Sequence, residues 1–139
     1  MKEKLHGKMV VFTLITVSVM FICIPVLARA QTKLDDYTFS GLYTTLYGLD
    51  TFSTNGTTEV VLNYRQWTDY PTDAWVEYAI VIKGTFSDTV YSSFQIKGSN
   101  SDVGKQKSFD IVQQGSDRRI RIANLGAQRS NGYGEIYQQ

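Results

Sequence analysis

Beyond residue 30, apolar and polar residues alternate in short runs, and no stretch carries the i, i+3, i+4, i+7 apolar spacing of a packed helix. The runs are rich in Val, Ile, Thr, Tyr and Phe, side chains that suit a pleated, half-buried surface. Gly, Asn, Asp and Ser separate them. The pattern predicts seven strands, about Tyr37–Leu46, Thr58–Trp67, Ala74–Lys83, Thr89–Lys97, Lys107–Gln113, Arg118–Asn124 and Tyr133–Gln138. The separators are turns with a mechanism: Asn55-Gly56 tolerates positive φ, Tyr70-Pro71 fixes a bend, and residues 98–102 (GSNSD) form a polar loop. Seven short strands with regular turn signals predict an all-β fold, a single antiparallel β-sandwich of the immunoglobulin-like or jelly-roll-like kind.

Two strands stand out. Residues 74–83 (AWVEYAIVIK) are apolar on both parities, with only Glu77 interrupting, so this strand is expected in the middle of a sheet, covered from both sides. Around Gly115-Ser116 a two-residue hairpin can be set in register. Ile111 then faces Ile120 and Phe109 faces Ile122 on one side, with Asp110 opposite Arg121 and Val112 opposite Arg119 on the other.

The first thirty residues follow a different rule. Lys2, Lys4 and Lys8 open the chain, an uncharged run from Met9 to Ile24 follows, and Pro25 precedes Ala28-Arg29-Ala30. A basic start, an apolar middle and an A-x-A end make a cleavable secretory signal peptide over residues 1–30. The domain then spans 31–139. An uncleaved anchor is the alternative, because the apolar run is slightly long for a signal core, though slightly short of a full span of about 20 residues. A lipid anchor is excluded, since Ile22 stands before Cys23 where a small residue is required. No membrane span is expected after cleavage.

Removing the leader changes the chemistry available. All three Met, the only Cys and the only His lie within it. The remaining body has no Cys, His or Met, which excludes serine–histidine triads, cysteine nucleophiles, disulfides and histidine- or thiolate-bound metals. No cofactor or metal is expected. Lys2, Lys4, Lys8 and Arg29 leave, reducing fourteen basic residues to ten. Glu3 leaves, reducing thirteen acidic residues to twelve, so the body has a net charge of −2. That slight acidity argues against a nucleic-acid partner.

The segment 67–75 (WTDYPTDAW) is the first candidate ligand site. Trp67, Tyr70 and Trp75 could form an apolar platform for sugar rings, with Asp69 and Asp73 accepting from hydroxyls. The same residues could instead plug one end of the core. Asp69 and Asp73 could also attract Ca²⁺, but no spaced ligand series follows, and turn-forming aspartates account for them better; Asp35-Asp36 is equally unspecific. A second candidate is the anion-binding cluster Arg118, Arg119 and Arg121, weighed against a solvated face in which Arg121 pairs with Asp110. All nine Tyr lie in the body, a composition that suits an adaptable contact surface. Asn55-Gly56-Thr57 is a glycosylation sequon but is read as a turn.

These features predict a secreted, non-catalytic binding module for an extracellular glycan or cell-wall polymer. In general outline, leader and body resemble small exported proteins of Gram-positive bacteria. A small secreted antagonist (a bacteriocin-like toxin or an enzyme inhibitor) is the first alternative. A carboxylate-based hydrolase is the second, and would need two carboxyls about 5–10 Å apart among Asp69, Asp73, Glu77 and Glu135.

Overall fold

The alternating runs fold as strands throughout. The computed structural model describes residues 31–139; the leader expected over residues 1–30 lies outside them. Among the described residues there are nine strands and no helix. They are β1 (Thr32–Leu42), β2 (Thr45–Tyr47), β3 (Phe52–Thr54), β4 (Glu59–Trp67), β5 (Trp75–Ile82), β6 (Thr89–Lys97), β7 (Lys105–Ile111), β8 (Gly115–Asn124) and β9 (Ser130–Gln138). One sheet has the order β1-β9-β4-β7. The other has the order β2-β8-β5-β6, with the short β3 continuing the β2 edge further along β8. All pairings are antiparallel.

Counted with β2 and β3 as one interrupted strand, this is an eight-stranded jelly roll. Only β5 and β6 form a hairpin of consecutive neighbours; every other long connection crosses from one sheet to the other. The core lies between the sheets. Tyr37, Phe39, Val60, Leu62, Tyr64 and Ile136 enter it from the first sheet, and Val76, Tyr78, Ile80, Ile120 and Ile122 from the second. Its aromatics interlock, with Tyr37 and Tyr64 at 5.8 and 6.0 Å from Tyr78 and Phe94 at 4.4 Å from Phe109. Gly132 and Gly134 face inward beneath Phe39 and Tyr37, where any Cβ would strike those rings.

The expected central strand is central: β5 lies between β8 and β6, and even its outward Ala79 and Val81 are fully buried. They sit beside Arg121 and Arg119 of β8, whose aliphatic stems cover apolar surface while their heads stay polar. The expected first strand is two. At Gly41 the backbone turns left-handed (φ 61°), the register with β9 slips, and the chain leaves β1 for β2 in the other sheet.

The expected hairpin does not form. β7 pairs with β4 and β8 with β5, so the two strands belong to facing sheets. Phe109, Ile120 and Ile122 do share one apolar environment, but they meet across the core rather than along a ladder. Asp110 adopts a left-handed φ of 59° beside a register slip at Glu59/Val61, which reverses the phase of the strand. Ile111 therefore points to solvent and Val112 into the core. Arg121 pairs with Glu77 and Asp88 instead of Asp110.

Candidate functional site

Alternation along β1, β9 and β4 sends every second side chain outward, and register sets those side chains in rows. Thr38, Tyr133 and Arg65 make one row across the three strands, and Asp36, Glu135 and Asn63 the next. Together they line an open cleft of about 360 Å³ on the outer face of the first sheet, with Gly104 of the β6–β7 loop at its edge.

Tyr133 is the apolar centre, 43% exposed. Trp67 meets it edge to face, with ring centroids 6.2 Å apart and planes at 81°, and the Arg65 guanidinium lies 5.6 Å from its ring centroid. Arg65 Nη1 also donates to the carbonyls of Ser101 and Asp102, 3.0 Å each, which fixes the loop that borders the cleft. Asn100 holds the same loop to β4: its Oδ1 accepts from the Gln66 amide at 3.1 Å and its Nδ2 donates to the Tyr64 carbonyl at 3.1 Å.

The second row is charged. Lys33 Nζ lies 2.8 Å from both Asp36 and Glu135, and the Tyr137 hydroxyl donates to the other Glu135 oxygen. Lys33 and then Tyr137 hold the Glu135 carboxyl below the usual carboxylate range, while Glu135 raises the Tyr137 phenol. Asn63 Oδ1, on the strand beside Glu135, is buried and has no hydrogen-bond partner.

The residues of the 67–75 segment separate. Trp67 joins the Tyr133 cleft. Trp75, one residue before the inward Val76, points outward from the second sheet, so the two tryptophans share no platform. Tyr70 is 50% exposed in the turn between β4 and β5. Asp69 accepts from Asn131 Nδ2 at 3.1 Å, and Asp73 is exposed near Trp75.

The three arginines are each engaged. Arg118 is buried, stacked 3.5 Å over Tyr91, and donates from Nη2 to the carbonyls of Gln113 and Gln114. Arg119 Nη1 donates to the carbonyls of Gly48 and Leu49 at 2.9 and 2.7 Å. Arg121 bridges Glu77 at 2.8 Å and Asp88 at 3.0 Å. Of the four carboxylates weighed for hydrolysis, Glu77 and Glu135 stand on outer faces of opposite sheets. Among the described residues, no three His, Cys, Asp or Glu side chains converge to hold a metal.

Asn63, Arg65, Tyr133 and Lys33 were not legible as a site from the sequence. The one available signal was the polar parity of YGEIY (133–137), which places Tyr133, Glu135 and Tyr137 on one face.

No protein-family model and no curated protein matches the chain. Solved structures resemble it at low identity. The infectious bursal disease virus VP2 subviral particle is similar over 78% of this chain and 32% of its own, at 16% identity and a TM-score of 0.44. The carbohydrate-binding module CBM36, solved with calcium and xylotriose, is similar over 78% of this chain and 97% of its own, at 11% identity and a TM-score of 0.37. The chain spans about a third of the length of the VP2 chain.

Proposed function

We propose that this chain is an exported, non-catalytic domain that binds a neutral glycan on the outer face of the β1-β9-β4-β7 sheet. One observation carries the reading. An exposed, braced tyrosine ring lies in the same cleft as two carboxylates and the Asn63 side chain. Sugar recognition pairs an apolar ring face with polar groups that bond hydroxyls. Asp36 and Glu135 offer further acceptors for hydroxyls, and Tyr133 offers a flat face to the C–H side of a sugar ring. Trp67 and Arg65 brace that ring, so little side-chain freedom remains to be lost on binding.

Lys33 also separates binding from hydrolysis. A glycosidase needs one carboxylic acid kept protonated. Here the Lys33 ammonium and then the Tyr137 hydroxyl favour the ionised form of Glu135, which accepts hydrogen bonds but cannot donate a proton. Export rests on the leader pattern of residues 1–30.

The test is isothermal titration of the exported protein with hexaoses of β-1,4-glucan, β-1,4-xylan and N-acetylglucosamine. At least one is expected to bind, and Tyr133→Ala, with the fold intact by circular dichroism, is expected to lose the hexaose held at this cleft, read as a fall in stoichiometry or in affinity. Binding to none of them, or a Tyr133→Ala variant unchanged in both stoichiometry and affinity, would overturn the reading.

A further inference from the structure

Trp75 raises a question that the Tyr133 cleft does not answer. An outward tryptophan at the first position of a strand, 38% exposed, leaves apolar surface in water that the core did not need. Its ring is nevertheless fixed. The indole N–H donates to Gln95 Oε1 at 3.2 Å, and the Lys97 ammonium lies 5.8 Å from the ring centroid. The Trp75 carbonyl accepts from the amides of Leu125 and Gly126 at 2.8 and 3.2 Å, which holds the β8–β9 loop against it. The result is a cleft of about 390 Å³ bordered by Asp73, Trp75, Lys97 and Gln128.

This cleft repeats the composition of the first in unrelated residues. An exposed, braced aromatic ring stands beside a cation and a carboxylate in each: Tyr133 with Arg65 and Glu135, Trp75 with Lys97 and Asp73. The two rings leave the sandwich from opposite sheets, so no single short glycan segment can touch both. We infer that Trp75 anchors a second carbohydrate site, which makes the domain bivalent for polymeric glycan. The inference rests on the glycan reading of the Tyr133 cleft. Two weak sites facing apart bind separate segments of one long polymer, or two polymers, and gain avidity without any new contact.

Titration with the hexaoses above distinguishes the outcomes. Two hexaoses per chain are expected for the wild type. One is expected for Trp75→Ala and for Asp73→Ala, at an exposed loop position that leaves the ring in place, and one for Tyr133→Ala. The wild type should also precipitate the long polymer corresponding to the hexaose that binds, and each single variant should lose that precipitation while still binding the hexaose. A stoichiometry of one that Trp75→Ala and Asp73→Ala leave unchanged, with Tyr133→Ala inactive, removes the second site and leaves the first standing. A stoichiometry of one that survives Tyr133→Ala overturns the first site and bivalency together, as does binding of no hexaose.

Discussion

The Tyr78 hydroxyl of one sheet donates to Gln66 Oε1 of the other across 3.0 Å of otherwise apolar core. Gln66 Nε2 in turn donates to the carbonyls of Ile96 and Gly98 at 3.1 and 2.9 Å. Gln66 is thus a fully buried polar strut between the sheets, with each partner depending on it. Gln66→Leu is expected to cost about 3 kcal/mol, at roughly 1 kcal/mol for each of three lost bonds. Urea unfolding checks it; a loss below about 1 kcal/mol would mean that water replaces the strut.

Gly134 lies where β9 passes closest to its neighbours. A Cβ there would overlap the Asn63 carbonyl and sit 2.6 Å from the Tyr37 hydroxyl. The carbonyl belongs to the β4 backbone and cannot swing away. Gly134→Ala is expected to destabilise the fold by about 3 kcal/mol through overpacking. A melting temperature equal to the wild type would show that the β4–β9 ladder yields.

Asp35 faces inward from β1 and is only 8% exposed, with Oδ1 accepting from the Asp36 amide at 2.8 Å. Burial raises its carboxyl above the ordinary value. A group with a raised folded pKa stabilises fully below its unfolded value, near 3.9, and that stabilisation is lost as pH rises through the folded pKa. Asp35→Asn keeps an acceptor without the charge. It is therefore expected to melt higher than the wild type at pH 7, with the gap closing below about pH 4. A variant less stable than the wild type at pH 7 would reverse this assignment.

Arg121 holds the β5–β6 loop to the sheet by reaching Asp88 on one side and Glu77 on the other. Both carboxylates are largely shielded, so removing the guanidinium leaves charge near apolar surface. Arg121→Ala is expected to cost about 2 kcal/mol, and Arg121→Lys, which cannot span both partners, to recover only part. Equal melting of all three proteins would show that the bridge is solvated in practice.

How much of this was legible depended on whether alternation alone could decide it. The central place of β5 follows from its apolar residues on both parities, and the all-strand, two-sheet architecture from short alternating runs with regular turn signals. Parity cannot tell a neighbour in the same sheet from a partner across the core. Phe109, Ile120 and Ile122 satisfy either arrangement, and in a jelly roll the second is the one realised. The same limit hid the site. Trp67 and Trp75 are close in sequence but lie on opposite sheets, while Tyr133 reaches Trp67 and Arg65 only through the non-local β4–β9 pairing. Asp110, with its left-handed φ, shifted a phase that no residue type announced.

Amide shift mapping tests the central claim most directly. Titration of the isotope-labelled domain with the hexaose that binds should move the amides of Asp36–Thr38, Asn63–Arg65 and Tyr133–Glu135 on the first sheet. A bound hexaose that leaves all of these unmoved would contradict the account.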